Sequence, residues 1–255
     1  MRGSQDVRVV AIIPARYGSQ RLPAKPLADI CGKPMIQHVY ERVAGARRVD
    51  AVLVATDDER IVSAVHAFSG SAVMTPASLQ SGTDRIAYAA RSILEAEIIV
   101  NVQGDEPLMT PGMIDEAILP LVGNKEILAG TLVRRIETEA ELRNPNIVKV
   151  VLDNDGFCLY FSRSVIPFGR DMAESAWLRN HLYFKHLGIY VFRREFLLRL
   201  AEMKPTPLEQ CEKLEQLRIL ENGYRIKARV TELDSTTVDT QEDLEKVRAI
   251  IRMGL

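Results

Sequence analysis

Residues 7–13 read VRVVAII and are followed directly by Pro14. A run so rich in β-branched residues is typical of a strand buried on both faces, as in a parallel sheet. Similar runs recur at residues 51–55 and 97–102, with a shorter one at 71–74. The stretches between them carry apolar residues at helical spacing. This alternation predicts right-handed βαβ units and a parallel sheet.

The pattern changes beyond about residue 125. Strand-like segments at 128–133, 147–152 and 157–160 follow one another without long helices, and Asn154-Asp-Gly156 is typical of a hairpin turn between two of them. We predict an α/β fold in a single domain, residues 1–255. Its mostly parallel, Rossmann-like sheet has helices on both faces and a smaller antiparallel insertion around 125–190. Further helices are predicted at 83–94, 205–221 and 242–250.

Composition excludes several functional classes. The 255 residues include 33 basic and 34 acidic side chains, giving a formal net charge of −1 and no global attraction to nucleic acid or an anionic membrane. We find no apolar run of membrane-spanning length and no signal peptide. The three cysteines lie far apart in the sequence, which argues against a disulfide framework and against a zinc site. We expect a cytoplasmic protein that binds neither nucleic acid nor membrane.

The first strand is separated from its helix by residues 14–33, far longer than the roughly two to six residues usual in α/β units. This loop carries Arg16, Arg21 and Lys25, with Gly18 to relax the backbone. Cations at the carboxyl end of a strand predict a polyphosphate site, although a solvated loop is the alternative. Gly32-Lys33 is followed by Pro34, so the loop is not a Walker A motif, and no GxGxxG follows the strand.

Further polar residues lie at predicted element ends. Ser81-Gly-Thr83 precedes a helix, where hydroxyls and free N–H groups suit a ribose or phosphate oxygen, or form only a helix cap. Asp105 directly follows a buried strand and Gly104 permits close approach, which predicts a metal ligand. We expect Asp239 to follow a short strand, Thr237-Val238, and either to bind the same metal or to cap the final helix.

Several strings resemble the cytidylyltransferases that activate 3-deoxy-manno-octulosonate. They are IPARYGSQRLPAKPL (13–27), SGTDR (81–85), VNVQGDEP (100–107), YFSRSVIPF (160–168), KHLGIY (185–190) and LEQLR (214–218). The resemblance extends from Val7 to about Arg248. The sequence departs from the family pattern at Ala24, where glycine is usual, and at Ser78-Leu79, where an acid–histidine pair is usual. Pro76 stands where arginine is common.

The resemblance implies transfer of CMP from CTP to 3-deoxy-D-manno-octulosonate, with Mg²⁺ as cofactor. It also implies a homodimer, with the insertion contributing to dimerisation and sugar binding. Arg16, Lys25 and Asp105 would be catalytic, and Asp105 and Asp239 would bind metal. The implied nucleotide-binding residues are Pro14, Ala15, Arg16, Gly18, Ser19, Lys25, Thr75, Ser81, Gly82, Thr83 and Arg85. The implied sugar-binding residues are Gln103, Arg163, His186, Tyr190, Glu215 and Gln216.

Alternatives remain at this stage. The acidic sugar could be 8-amino-3,8-dideoxy-manno-octulosonate or a sialic acid, because related enzymes carry a comparable basic loop. A non-catalytic nucleotide-binding regulator on the same fold is a rival of another class, since a fold does not fix a function. Release of pyrophosphate distinguishes an enzyme from a regulator.

Overall fold

The computed structural model of the protein describes residues 8–18, 22–79 and 81–254. The strands are β1 Val9–Ala15, β2 Asp29–Ile30, β3 Lys33–Pro34, β4 Ala51–Thr56, β5 Ala72–Met74, β6 Ile98–Val102, β7 Ala129–Arg135, β8 Lys149–Leu152, β9 Cys158–Ser162, β10 Phe184–Arg193 and β11 Ile226–Val230. The helices are α1 Met35–Ala44, α2 Glu59–Ala67, α3 Gly82–Ala90, α4 Pro111–Gly123, α5 Glu139–Arg143, α6 Trp177–Asn180, α7 Arg194–Glu202, α8 Pro207–Glu212, α9 Leu217–Glu221 and α10 Gln241–Arg252. In these ranges no helix is long and apolar enough to cross a membrane.

Within the described residues, one large sheet has the order β11-β7-β10-β6-β1-β4-β5, and the β8–β9 hairpin joins it through β10. The pairs β6–β1, β1–β4, β4–β5 and β11–β7 are parallel. Strand β10 runs antiparallel to β6, β7 and β8. The prediction of a mostly parallel sheet with an antiparallel part is therefore confirmed.

Strand β1 is buried on both faces. Its residues Val9, Ala11 and Ile13 pack into a core with α1 and α4. The alternate residues, Val10 and Ile12, pack into a second core with α3 and α7. This alternation follows from the period of two in a strand. Each buried Val or Ile side chain contributes roughly 1.5–3 kcal/mol relative to exposure, so the two cores hold β1 rigidly at the centre of the sheet.

The segment from β7 to β10 is the predicted antiparallel part. Strands β7 and β10 lie within the large sheet, and β8 and β9 pair through the turn at residues 154–156. The Asp153 carboxylate closes this turn by accepting hydrogen bonds from the backbone N–H groups of Asp155, at 3.0 Å, and Phe157, at 2.7 Å. The predicted hairpin is thus confirmed, whereas a role of the segment in dimerisation stays a prediction.

Three local predictions were wrong. The helix predicted at 205–221 is two helices, α8 and α9, because Lys213 adopts a left-handed conformation with φ 55°. Helix α3 ends at Ala90, and Leu94 beyond it is 78% exposed. Thr237 and Val238 belong to an irregular segment instead of a strand.

The order of the strands places the site. Because β1 and β6 are neighbours, the loops that follow them emerge side by side at the carboxyl edge of the sheet. Gly104, in the loop after β6, lies so close to the end of β1 that a Cβ atom there would lie 2.8 Å from the carbonyl oxygen of Pro14. The absence of a side chain at Gly104 therefore permits the contact between this loop and β1.

We predict that Gly104→Ala destabilises the protein, because the clash involves backbone that cannot rotate away. Overpacking costs about 1–3 kcal/mol, or a melting temperature lower by roughly 2–12 °C for a chain of this size. Gly123→Ala is the matched control, since a Cβ atom there meets no atom of the described structure within 4 Å. Equal melting temperatures for the two variants would contradict this interpretation of Gly104.

Candidate active site

Lys25 lies at the meeting point of distant parts of the chain. Its ammonium donates hydrogen bonds to Asp105 Oδ2 at 2.7 Å, to Asp239 Oδ1 at 3.1 Å and to the Val238 carbonyl oxygen at 2.9 Å. Lys25 belongs to a short 3-10 turn in the first loop, whereas Asp105 follows β6 and Asp239 precedes α10. The structure therefore brings together the two carboxylates that were predicted to bind metal.

The Lys25 ammonium remains charged in this setting. Burial opposes its charge, but the attraction and hydrogen bonds of Asp105 and Asp239 outweigh that effect and raise the pKa of Lys25. The two carboxylates would otherwise repel each other. A cation between them is thus an electrostatic requirement of the arrangement.

Asp239 is not the side chain that caps the final helix. The N-cap of α10 is Thr240, whose hydroxyl oxygen accepts a hydrogen bond from the backbone N–H of Asp243 at 3.2 Å. Asp243 completes a capping box by accepting from the backbone N–H of Thr240 at 3.0 Å. The capping alternative for Asp239 was wrong, and its carboxylate faces Lys25.

A cleft of about 350 Å³ opens beside Lys25. It is lined by Pro14, Ala15, Arg16, Gly18, Lys25, Pro26, Ser81, Gly82, Gln103, Gly104, Asp105 and Glu215. The Nη2 atom of Arg16 is buried and has no hydrogen-bond partner within the residues that the structure describes. A buried donor left unpaired costs about 1–3 kcal/mol, so an anion in the cleft would remove that cost. The arrangement favours an anionic ligand.

The amino end of α3 borders the same cleft. Ser81 is its N-cap and forms a capping box with Asp84, at 3.0 Å from the backbone N–H of Asp84 to Ser81 Oγ. Thr83 instead donates to Glu215 Oε2 at 2.6 Å and joins α3 to the segment between α8 and α9. Ser81 therefore caps the helix and also lines the cleft, so the two functions considered for it are compatible.

Two predicted nucleotide-binding residues are buried and do not line the cleft in the described structure. Arg85 is fully buried and donates to Asp57 Oδ2 at 2.8 Å and to the hydroxyl of Thr75. Thr75 in turn donates to the Thr56 carbonyl oxygen at 3.0 Å. In the described structure neither residue is among those lining the cleft, so direct nucleotide contacts stay predictions. Ser19 and Arg21 lie outside the described residues.

A smaller cavity of about 180 Å³ adjoins the cleft, and the two share Gly82, Gln103 and Glu215. Its other lining residues are Thr83, Asn101, Tyr190, Phe192, Leu200, Lys213, Leu214, Gln216, Arg218 and Ile219. The predicted sugar-binding residues Gln103, Tyr190, Glu215 and Gln216 therefore lie together. Burial raises the pKa of Tyr190 well above its ordinary value, so its hydroxyl keeps its proton and can donate to a sugar oxygen.

Arg163 lies apart from these two spaces in the described structure. Its Nε donates to the Glu212 carbonyl oxygen at 2.9 Å and its Nη1 to the Pro145 carbonyl oxygen at 3.0 Å. These bonds join β9 to α8 and to the loop before β8. The predicted contact of Arg163 with a sugar carboxylate stays a prediction, and the structure gives this side chain a packing role.

His186 borders a third, larger cavity of about 720 Å³. Its Nε2 is 2.9 Å from the Thr131 hydroxyl, and its ring centroid is 5.0 Å from that of Tyr190. Although part of its surface is accessible, burial lowers the pKa of His186 to about 3. His186 is therefore neutral and its ring packs against that of Tyr190, while its direct contact with sugar stays a prediction.

Some cavity residues were missed by sequence reasoning. Asn101 is a buried polar residue within the otherwise apolar β6, and this was a usable signal. Lys213 reaches the small cavity because the chain breaks there between α8 and α9. The apolar periodicity of that stretch gave no sign of a break.

The carboxylate oxygens of Asp105 and Asp239 are of the type that binds a divalent cation. Within the described residues no group of three or more His, Cys, Asp or Glu could hold a metal. Mg²⁺ typically uses only one or two protein carboxylates and completes its shell with water and substrate phosphates. Asp105 and Asp239, which already hold one cation beside an anion-binding cleft, meet that requirement.

Comparisons with known proteins all find similarity to cytidylyltransferases. A family model described as "Cytidylyltransferase" matches residues 10–227. A 3-deoxy-manno-octulosonate cytidylyltransferase of Geotalea uraniireducens is 56% identical over 246 residues, which cover 94% of this chain and 98% of that protein. A protein of the same name from Trichlorobacter lovleyi is 52% identical over 253 residues, covering 97% of this chain and 100% of that protein.

Solved structures agree with the sequence relatives. A CMP:2-keto-3-deoxy-manno-octonic acid synthetase complexed with CTP superposes with a TM-score of 0.90 at 42% identity, over 97% of this chain and 100% of that one. A 4-diphosphocytidyl-2C-methyl-D-erythritol synthase from Anaerococcus prevotii reaches a TM-score of 0.64 at 14% identity, over 97% of each chain. The second likeness shows the shared fold alone.

We predict that the His186 imidazole stays neutral from pH 8 to pH 5, because burial lowers its pKa to about 3. An unfolded histidine gains its proton near pH ~6.5, so this group destabilises the fold as pH falls from there toward 3. Proton–nitrogen NMR of the imidazoles tests this, with the His186 signal assigned by its loss in His186→Gln. A midpoint for that signal between pH 5 and 8 would contradict the prediction.

Proposed function

Because this chain belongs to the 3-deoxy-manno-octulosonate cytidylyltransferase family, we propose that it transfers CMP from CTP to 3-deoxy-D-manno-octulosonate and releases pyrophosphate. The chain is a nucleotidyltransferase, and its product would serve lipopolysaccharide biosynthesis. One observation supports the choice of substrates: a cleft with a buried Arg16 donor, unpaired within the described residues, adjoins a smaller cavity lined by both polar and apolar side chains. The cations of the cleft suit a triphosphate, and the hydrogen-bonding side chains of the small cavity suit a sugar.

The shared walls suggest where reaction occurs. Gly82, Gln103 and Glu215 border both spaces, so the α-phosphate and the anomeric hydroxyl would meet there. The hydroxyl oxygen attacks the α-phosphorus and gives up its proton to water, the bond from that phosphorus to the bridging oxygen breaks, and pyrophosphate leaves with the electron pair. Catalysis of such an in-line displacement consists mainly of positioning and charge stabilisation.

Charge supports a metal cofactor. CTP, the sugar carboxylate and the two aspartates bring about seven negative charges, against about three positive charges from Arg16, Arg21 and Lys25. We assign two Mg²⁺ ions to make up the difference, with Asp105 and Asp239 as protein ligands. When bound, Mg²⁺ neutralises phosphate charge and lowers the pKa of a hydroxyl beside it.

Lys25 would have two positions in this scheme. In the structure its ammonium lies between Asp105 and Asp239, at the point where a divalent cation would bind. With CTP and metal bound, the same ammonium would turn to the triphosphate in the cleft that Lys25 lines. Lys25 thus protects the two carboxylates from mutual repulsion until substrate arrives.

We extend the proposal to a homodimer in the cytoplasm. Phe168 and Leu182, in the segment between β9 and β10, are 75% and 51% exposed, and large apolar side chains on a surface suit a subunit contact. The contact would be self-complementary, as in most homodimers. Light scattering measures the assembly directly.

The test is a matrix of substrates assayed for pyrophosphate. We expect release only with CTP and 3-deoxy-D-manno-octulosonate together, at least about tenfold faster than with UTP, because a mismatched base leaves buried groups unpaired. Chelation by EDTA should stop the reaction. The 8-amino sugar and N-acetylneuraminate replace the sugar in parallel reactions. No pyrophosphate from any combination would favour a non-catalytic regulator, and equal use of UTP and CTP would reject the proposed base selectivity.

A further inference from the structure

Glu106 directly follows Asp105 and is only 4% exposed. Its side chain does not line the cleft or the small cavity in the described structure, and the reaction scheme does not use it. Thr237 donates to its Oε1 at 2.7 Å, and Ser235 donates to its Oε2. A buried carboxylate is costly unless its oxygens are hydrogen-bonded, so the two hydroxyls stabilise it.

Those two hydroxyls belong to the segment that carries Asp239. Residues 231–239 form neither helix nor strand, so secondary structure does not fix the direction of the Asp239 side chain. Side-chain and backbone contacts do so instead. Within it, the Asp234 carboxylate accepts from Lys185 at 2.8 Å, and the Val238 backbone N–H donates to the Asp105 carbonyl oxygen at 2.9 Å. Glu106 holds the residues between these anchors.

The surroundings are shaped for a carboxylate at this position. Each oxygen of Glu106 accepts from a different hydroxyl, so one rigid group sets the spacing of Ser235 and Thr237. On its other side lies Gly188, where an added Cβ atom would approach Glu106 Oε1 to 3.2 Å. Glycine at 188 therefore leaves the room that the carboxylate needs.

We propose that Glu106 is a positioning residue that holds the 234–239 segment against the Asp105 loop and so aims Asp239 at the metal site. The inference rests on the proposed function for its metal. Groups that orient metal ligands without touching the metal typically change metal affinity about 10–100-fold when mutated. Glu106 lines neither the cleft nor the small cavity, so we expect CTP binding without metal not to depend on it.

The experiment compares Glu106→Gln with the double variant Ser235→Ala/Thr237→Val, which removes the same bonds from the other side. Mn²⁺ replaces Mg²⁺ as a paramagnetic probe, and its affinity for the CTP-bound protein is measured by water-proton relaxation without sugar. Calorimetry gives CTP affinity in EDTA. Val65→Ala controls for lost stability, because Val65 is fully buried in α2 and lines neither the cleft nor the small cavity.

We expect both Glu106→Gln and the double variant to bind Mn²⁺ about 10–100-fold more weakly, with CTP affinity in EDTA unchanged within about twofold. If Glu106→Gln does not fold, the double variant decides. Unchanged Mn²⁺ affinity, an equal loss of CTP affinity in EDTA, or a similar Mn²⁺ loss in Val65→Ala would overturn the proposal. Wild-type protein that binds no Mn²⁺ would overturn the metal assignment as well.

Discussion

The ion pairs of Lys25 with Asp105 and Asp239 are the interaction on which the site depends. They join the loop after β1, the loop after β6 and the segment before α10, at 2.7 and 3.1 Å from one ammonium. These ion pairs therefore connect three distant parts of the chain at the carboxyl edge of the sheet. Because the pairs are only partly exposed, solvent screens them less than a surface pair, and loss of the ammonium leaves two carboxylates facing each other.

The fold was largely predictable because its signals are local. The run from Val9 to Ile13 has too few polar residues to leave either face of a strand in water, and both faces are covered by helices. The stretch 205–221 shows where local signals fail. Its apolar spacing suits one helix, but Glu221 of α9 accepts hydrogen bonds from the backbone N–H groups of Leu208 and Glu209. This tertiary contact caps α8 and folds α9 back against it.

The candidate site was predictable to the extent that strand order determines it. Residues after β1 and β6 converge because those strands are parallel neighbours, which accounts for Arg16, Lys25 and Asp105. Arg85 and Arg163 could not be placed in this way, because the hydrogen-bond partners of their guanidinium groups depend on tertiary packing. Arg85 donates to Asp57, and Arg163 donates to backbone carbonyl oxygens. The family resemblance predicts such residues from their positions in the sequence, whereas the direction of a side chain depends on its neighbours in the folded chain.

We propose that Lys25 and a divalent cation compete for the same two carboxylates, Asp105 and Asp239. Mn²⁺ affinity of the nucleotide-free Lys25→Met variant tests this most directly, with Lys33→Met as control because Lys33 forms an exposed ion pair with Glu41 away from the site. We expect Lys25→Met to bind Mn²⁺ severalfold more tightly than wild type yet to turn over CTP poorly, and Lys33→Met to match wild type. Weaker or unchanged Mn²⁺ binding by Lys25→Met would contradict it.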